Sequence, residues 1–295
     1  MKFRAAVTNV KHFYQVAQSI EKVAKKCIIR LSPASIEIIC PNGNEEGVQV
    51  WSKINQEDLF SDYRVQSNAA DTICAEIATD ALVQVLRDLA SSGKVETRET
   101  VMKLAKKGTD AVFTFETRDH DQTWAKGLTV SHSVRVQMIR PVEMEKVKEP
   151  LCPDPDVHIV TPPLKEMRVV LDRLKAYSSK IRFSANNSGE LTLSAETDDG
   201  EELKTTWTDL VHPTIEAGED APPREAPDLG QHFGALMSAA SLLKFMNTAV
   251  ITPTTCIACI CENHCLIMYV YIGEVLEQNG ILTFYLPARL TGDED

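Results

Sequence analysis

The sequence predicts an α+β protein that consists of two copies of one domain, each with antiparallel strands and two helices. Two observations support this class: an internal repeat across most of the 295 residues, and an excess of short strand-like segments over helical ones. Parallel sheets need a long crossover between strands, usually a helix, and the predicted helices are too few for that. The strands are therefore expected to run antiparallel, with the helices on one face.

The first predicted helix of each half carries the repeat. Residues at helical spacing within Val10–Ala24 recur within Leu164–Ser178, at an offset of 154 residues in five positions. Each helix is followed by a lysine and a strand, Lys26–Leu31 in the first half and Lys180–Ala185 in the second. Similar residue patterns that recur at a fixed offset along the sequence are typical of a duplicated structural unit.

The second predicted helices match more closely. The apolar face within Leu82–Leu89 recurs within Ala239–Met246 at an offset of 157 residues, and the polar faces correspond as well. We therefore predict one domain over residues 1–140, a second over residues 157–290, and a short tail at residues 291–295.

Two segments lack any periodicity. The connector, residues 141–156, is rich in proline and alternating charges, and it separates the two halves. His212–Asp228 is acidic and proline-rich, which predicts a solvated loop within the second domain.

Composition restricts the function classes. There are 31 Lys and Arg against 42 Asp and Glu, a net charge of -11, which excludes a basic coat that wraps nucleic acid but allows a local basic face. No apolar run approaches the ~18 residues of a membrane span, and the first residues lack a secretory signal. Eight cysteines in so long a chain favour reduced thiols. We expect a soluble intracellular protein with no membrane partner.

Four segments carry a resemblance to a known family: Met1–Arg4, Arg30–Pro33, Glu149–Val157 and Gly189–Leu193. They resemble the Hus subunit of the heterotrimeric nine-one-one DNA-damage checkpoint clamp, and the resemblance extends from residue 1 to about Arg289. The connector motif EPxxPDPDV is its most specific part. The replicative homotrimeric clamp shares the architecture but lacks that motif.

The resemblance implies a DNA-clamp (sliding clamp) fold, in which the helices of both domains line a ring interior. It implies two paralogous clamp subunits as partners, duplex DNA through the ring, and an ATP-dependent clamp loader that opens it. It also implies checkpoint kinase activation, recruitment of checkpoint and repair proteins at damage sites, and nuclear residence. Basic runs in this chain are too short for an import signal, so we expect import with the partner subunits. The resemblance further implies that the protein has no cofactor and no catalytic activity.

A clamp must attract duplex DNA without gripping fixed phosphates, so that the ring can slide. The helix faces opposite the apolar stripes carry cations that suit this task. The predicted DNA-facing residues are Lys11, Gln15, Lys22, Lys26, Arg87, Lys165, Arg168 and Lys244. For any one helix, an ordinary solvated face is the alternative interpretation.

Sheet edges are the predicted contacts with neighbouring subunits, because an unpaired edge exposes a row of N–H and C=O groups. By analogy with the clamp fold these edges are Val134–Ile139 and Glu202–Trp207. The predicted interface residues are Val134, Arg135, Val136, Gln137, Met138, Glu202, Leu203, Lys204 and Thr205.

The connector is the other predicted surface. Val142, Met144, Leu151 and Val157 either line an apolar groove for a partner peptide or anchor the connector to the sheet. The two interpretations are both left open by the sequence.

Three rival classes remain: a homotrimeric clamp, a zinc protein and a nuclease. Cys256, Cys259, Cys261 and Cys265 suggest zinc, but strand alternation puts Cys256 and Cys259 on opposite faces, so no metal site is predicted. A two-metal nuclease needs converging carboxylates, and Asp199-Gly200-Glu201 reads as a hairpin turn. The seven histidines are scattered and are interpreted as surface or strand residues. We predict a protein that is not an enzyme.

Overall fold

The structure is a computed structural model that describes residues 1–41, 47–91, 98–119, 129–197, 199–213, 228–250, 255–271 and 280–289. The chain forms two compact units. The first comprises Met1–Gly43, Val50–Glu149 and Ile272–Ile281, and the second comprises Asn44–Gln49, Pro150–Tyr271 and Leu282–Asp295. Most of the predicted acidic loop (residues 214–227) and the predicted tail at 291–295 lie outside the described residues.

The first unit is an antiparallel sheet with helices. Its elements, in chain order, are β1 (Lys2–Val7), α1 (Val10–Val23), β2 (Lys26–Leu31), β3 (Ser35–Cys40), β4 (Gln49–Asn55), α2 (Gln56–Leu59), β5 (Phe60–Gln66), β6 (Ile73–Ala78), α3 (Thr79–Ser91), β7 (Arg98–Lys107), β8 (Asp110–Asp119), β9 (Thr129–Met138) and α4 (Pro141–Met144). The strand order is β4-β3-β2-β6-β9-β8-β7-β1-β5, and each neighbouring pair is antiparallel.

The core of the first unit lies where α1 and α3 pack together against apolar strand residues. The side chain of Asn9 caps α1 by accepting the backbone N–H of His12 at 3.0 Å. Below the helix, the rings of Phe13 and Phe60 meet edge to face with centroids 5.7 Å apart, and Phe3 meets Phe113 at 6.1 Å. Aromatic contacts of this kind stabilise a core beyond the area they bury.

The second unit largely repeats the order of elements, in two shorter runs of paired strands. Its elements are β10 (Val157–Val160), α5 (Leu164–Leu174), β11 (Lys180–Asn186), β12 (Leu191–Glu196), β13 (Glu202–Trp207), β14 (His232–Ser238), α6 (Ala239–Met246), a 3₁₀ turn (Asn247–Val250), β15 (Thr255–Cys261), β16 (Cys265–Tyr271) and β17 (Ile281–Pro287). The strand orders are β10-β15-β16-β17 and β13-β12-β11-β14.

Helices α5 and α6 of the second unit pack together as α1 and α3 do in the first. Their buried faces include Met167, Leu171 and Phe245, and the rings of Phe245 and Phe284 are 5.1 Å apart. The periodic positions that revealed the repeat are thus largely the buried faces of equivalent helices. None of the helices in the described ranges is long and apolar enough to cross a membrane.

Candidate clamp surfaces

The outer face of the α1–α3 pair is polar and mostly basic. Lys11 and Lys22 are exposed and Gln15 is half-buried, whereas Phe13 and the other apolar positions of α1 are buried. On α3, Arg87 is exposed, and its Nε donates to the hydroxyl oxygen of Tyr14 on α1 at 3.3 Å. The two helices are therefore tied together on the side that carries the cations.

Lys26 is not part of this helical face. Helix α1 ends at Val23, and Lys26 is the first residue of β2. Its ammonium group lies 2.7 Å from a carboxylate oxygen of Glu76 on β6, the strand next to β2. The helical pattern was therefore extended one turn too far, and the charge of Lys26 is opposed by an adjacent acid.

The outer face of the α5–α6 pair carries more mixed charge. Lys165 and Arg168 are exposed, but the guanidinium of Arg168 lies 3.8 Å from Asp172, which also pairs with Lys175 at 2.7 Å. On α6, Lys244 is half-buried and already makes an interaction. Apart from Lys26, the predicted residues lie on the outer side of their helices in each unit. Cations are opposed by acids in both units, since Lys22 of the first lies 3.7 Å from Glu21.

Strand β13 is an edge of its sheet: within the described residues it pairs only with β12. The backbone N–H of Thr197 donates to the carbonyl oxygen of Glu201 at 2.9 Å where the β12–β13 hairpin closes. Hydrogen-bonded pairs alternate along an antiparallel ladder. It follows that the backbone groups directed to the open edge are those of Glu202, Lys204 and Thr206, whereas those of Leu203, Thr205 and Trp207 face β12.

The open part of β9 differs from the predicted edge. Val136, Gln137 and Met138 pair with β6 of the same unit, so they are not available to a neighbouring subunit as an edge. The remaining stretch, Thr129–Arg135, pairs with β8 on one side and has no strand partner on the other within the described residues.

The hydrogen-bond phase of β9 identifies its outward groups. The backbone N–H of Ile139 donates to the carbonyl oxygen of Cys74 at 2.9 Å, on the β6 side. By alternation, the odd-numbered residues of β9 face that side and the even-numbered ones face β8. Ser131 and Ser133 thus direct their backbone groups to the open edge, whereas Arg135 lies opposite Ala78 at the end of β6 and Val134 contributes a buried side chain.

The connector is divided between the units. Its first part forms α4, where the carboxylate of Glu143 accepts the backbone N–H of Arg140 at 3.0 Å. Met144 lines a cavity of about 440 Å³ together with Met1, Arg30, Cys74 and Met138. Val142 lies outside that lining and is 67% exposed.

The second part of the connector belongs to the other unit, where Leu151 is 97% exposed. Val157 is 1% exposed and pairs with Ile260 as the first residue of β10. It therefore anchors the connector to the sheet and cannot line an exposed groove. The sequence left both interpretations open, and for Val157 the structure selects the anchor.

The cysteine-rich hairpin β15–β16 is buried on both faces. Cys256, Cys259, Cys261 and Cys265 are all at most 5% exposed. Burial raises the pKa of Cys256 and of Cys259 to about 12, which disfavours the thiolate form that zinc requires. Among the described residues no group of three or more His, Cys, Asp or Glu side chains is arranged to hold a metal ion.

His12 is a buried residue of α1, where it is 7% exposed, and not the surface or strand residue that the sequence predicts. Burial lowers its pKa, and the nearby Asp58 carboxylate raises it by a smaller amount. The available signal was its helical spacing, because residues 12, 16, 19 and 23 share one buried face of α1.

The acidic motif of the second unit is a turn. Asp199 and Glu201 are exposed, and the backbone N–H of Gly200 donates to the carbonyl oxygen of Thr197 at 2.9 Å. The hairpin turn is sufficient to explain why these carboxylates lie close together in the sequence. They therefore do not indicate a metal-dependent reaction.

Two units of antiparallel sheet, each with a pair of amphipathic helices, define the sliding-clamp fold of the proliferating cell nuclear antigen type. The solved structure of that protein from Entamoeba histolytica is similar, with 16% identity, a TM-score of 0.68, and 98% of this chain and 99% of that one covered. The Thermococcus kodakaraensis protein is similar too, at 15% identity and a TM-score of 0.66 over 97% and 100% of the chains. The predicted fold class is confirmed.

The chain belongs to the Hus1-like protein family, whose family model matches residues 1–289. It is 28% identical to checkpoint protein hus1 of Schizosaccharomyces pombe, over 97% of this chain and 98% of the relative. It is 26% identical to checkpoint protein HUS1 of Homo sapiens, over 98% and 99%. The chain is accordingly a checkpoint clamp subunit of a non-catalytic family, which confirms the predicted family and excludes the nuclease class.

Proposed function

We propose that this chain is one of three different subunits of a ring that closes around duplex DNA, with a paralogous clamp subunit on each side. The observation that carries the proposal is the pair of open strand stretches, Ser131–Arg135 in the first unit and Glu202–Thr206 in the second. The backbone groups of Ser131 and Ser133 in the first stretch, and of Glu202, Lys204 and Thr206 in the second, have no strand partner among the described residues. Strand addition from a neighbour would satisfy both rows.

The helix pairs supply the DNA-facing side of this ring. Lys11, Lys22 and Arg87 are exposed on the first pair, and Lys165 and Arg168 on the second, in a protein of net charge -11. So few cations attract a duplex but do not hold it at high salt. Retention on DNA therefore comes from enclosure, which requires a loader that opens the ring with ATP. The chain itself contributes no cofactor.

The connector serves checkpoint and repair proteins that act after the ring is loaded at damaged DNA. Met144 borders a cavity in the first unit that is large enough for an apolar side chain. Val142 of the first unit and Leu151 of the second are exposed apolar residues of the connector. We assign activation of the checkpoint kinase and recruitment of repair enzymes to peptides that dock at such places. The protein acts in the nucleus, which it enters with its partner subunits.

The test is the mass of the purified chain, alone and after co-expression with two paralogous clamp subunits, measured by light scattering. We expect a species near 32.7 kDa for the isolated chain and a stable 1:1:1 complex with both paralogues. A discrete homotrimer of the isolated chain would contradict the heterotrimer and favour a replicative-type clamp.

A further inference from the structure

Three cysteine thiols converge in the second unit, away from the helical faces and from β13. Cys261 and Cys265 are paired directly across the β15–β16 hairpin. Cys152 of the connector packs against the same cluster. Cys265 lies close enough to Cys152 and to Cys261 for their side chains to interact.

The backbone holds Cys152 at this position. The backbone N–H of Asp156 donates to the carbonyl oxygen of Ile260 at 2.9 Å, and Asp156 in turn accepts the backbone N–H of Glu262 at 2.8 Å. The thiol of Cys261 donates to the carbonyl oxygen of Pro153 at 3.4 Å. The segment that follows Cys152 is thus fastened to the hairpin at Ile260, Cys261 and Glu262.

The three thiols differ in access to solvent. Cys261 and Cys265 are 0% and 5% exposed, whereas Cys152 is only partly buried. Burial raises the pKa of Cys261 and of Cys265, so both stay protonated at neutral pH. A small oxidant in solution therefore reaches Cys152 first.

Cys265 is the better placed of the two possible resolving thiols. Cys265 belongs to the buried cluster against which Cys152 packs, whereas the thiol of Cys261 donates to the carbonyl oxygen of Pro153. A disulfide needs sulfur atoms that can meet without a large movement of the backbone, and Cys152 packs against the cluster that contains Cys265.

We propose that Cys152 and Cys265 form a reversible disulfide when the protein is exposed to a peroxide, which makes this pair an oxidative modification site. The sulfur of Cys152 attacks one peroxide oxygen, the O–O bond breaks, and the products are a sulfenic acid and water. The sulfur of Cys265 then attacks the sulfur of Cys152. The S–S bond forms, the S–O bond breaks, and the departing hydroxide takes the thiol proton of Cys265 to leave as water. Two thiols and one hydrogen peroxide give one disulfide and two waters.

The disulfide would fix the connector covalently to the β15–β16 hairpin. In the reduced protein this attachment depends on hydrogen bonds and packing, which open locally at a lower cost than the whole fold. Oxidation therefore lowers the mobility of residues 150–156 without any change elsewhere in the fold.

The experiment treats the purified full-length chain with hydrogen peroxide, blocks the remaining thiols and digests the protein with trypsin without reduction. Mass spectrometry should find the connector peptide 149–165 joined to the peptide 245–289, and dithiothreitol should separate them. The link should disappear in Cys152→Ser and in Cys265→Ser, and it should persist in Cys261→Ser. If Cys152→Ser is unstable, Cys152→Ala replaces it. The cross-linked peptide itself is sought in the wild-type protein, so this measurement depends on no variant.

The first unit provides a matched control. Cys27 and Cys40 continue the register that pairs Ile28 with Ile39 across β2 and β3, and both are at most 2% exposed. This pair should stay reduced at the peroxide dose that joins the two peptides. Oxidation of both pairs together, a bond within 245–289 alone, or sulfinic acid on Cys152 without a link would each overturn the proposal.

Discussion

The two units carry equivalent helices whose outer faces have diverged. At the offset of 154 residues Lys11 matches Lys165, but Gln15 matches Val169, which is 54% exposed, and Lys22 matches Ala176. The first unit has kept polar groups where the second has apolar ones, and Asp172 opposes the second unit's cations. Buried faces are constrained by packing in both units, whereas the exposed faces can differ in charge at little cost to stability.

The sheet edges differ in another way. In the second unit the open stretch belongs to an edge strand, β13, whereas in the first it is the free half of β9, an internal strand of its sheet. A residue of β13 whose N–H faces the open edge can therefore lose that N–H without breaking a hydrogen bond to β12. The largest predicted effect follows from this difference.

Lys204→Pro should weaken the complex with one paralogue by more than about tenfold and leave the other neighbour bound. The substitution removes a backbone N–H directed to the open edge of β13, and proline is tolerated in edge strands when that N–H faces outward. Pairwise pull-down from cells that express all three subunits measures the effect. Lys204→Ala, which keeps the N–H, is the matched control and should assemble normally.

Thr205→Pro should behave differently because the N–H of Thr205 faces β12. It should lower the melting temperature of the isolated chain, which Lys204→Pro should leave nearly unchanged. If both proline variants lower it equally, the deduced hydrogen-bond phase of β13 is wrong.

Ser133→Pro tests the corresponding edge of the first unit. The backbone N–H of Ser133 is directed away from β8, so its loss should detach the other paralogue, again by about tenfold or more. Val136→Pro would be a poor test, because Val136 pairs with both β6 and β8. Loss of both neighbours in Ser133→Pro would indicate that the first unit no longer folds.

Charge reversal tests the divergence of the helical faces. Lys11→Glu with Lys22→Glu should reduce retention of the loaded ring on DNA more than Lys165→Glu with Arg168→Glu. Each lost phosphate contact makes the negative slope of log K, the binding constant, against log salt concentration shallower by about 1. Retention at increasing salt gives that slope, and Lys106→Glu with Lys107→Glu, two exposed lysines on strand β7, is the control with equal charge change. A larger effect of the second pair would reverse the comparison.

The sequence predicted the fold because apolar periodicity reports directly on burial. Phe13 and Met167 lie on buried helix faces, as their spacing required. The pairing of Ala75 with Met138 could not be predicted, since it joins residues far apart in sequence and leaves no local pattern. Lys26 was wrongly assigned to the helical face, because the lysines around the end of α1 do not mark where the helix stops. The role of Val157 was ambiguous because an apolar residue at the junction of the connector and a strand fits both a groove and an anchor.

The smallest predicted effect is a pH dependence confined to the first unit. His12 is buried on α1, and its counterpart on α5 at the same offset is the exposed Glu166. The pKa of His12 is lowered by burial, so its neutral form favours the folded state. The contribution is fully present above the unfolded pKa of about 6.5 and is lost as pH falls through the folded value. Asp58 has a pKa raised by burial, and its contribution has the opposite sign.

We therefore expect hydrogen exchange in α1 to accelerate between about pH 7.5 and 5.5 relative to α5, by no more than the ~1.4 kcal/mol per pH unit that one proton allows. His12→Gln should remove the excess acceleration, because glutamine does not titrate, even if it lowers stability at every pH. Asp58→Asn separates the contribution of the carboxylate. Acid that loosens α1 and α5 equally in the wild type would show that the two units respond to pH in the same way, and that His12 does not distinguish them.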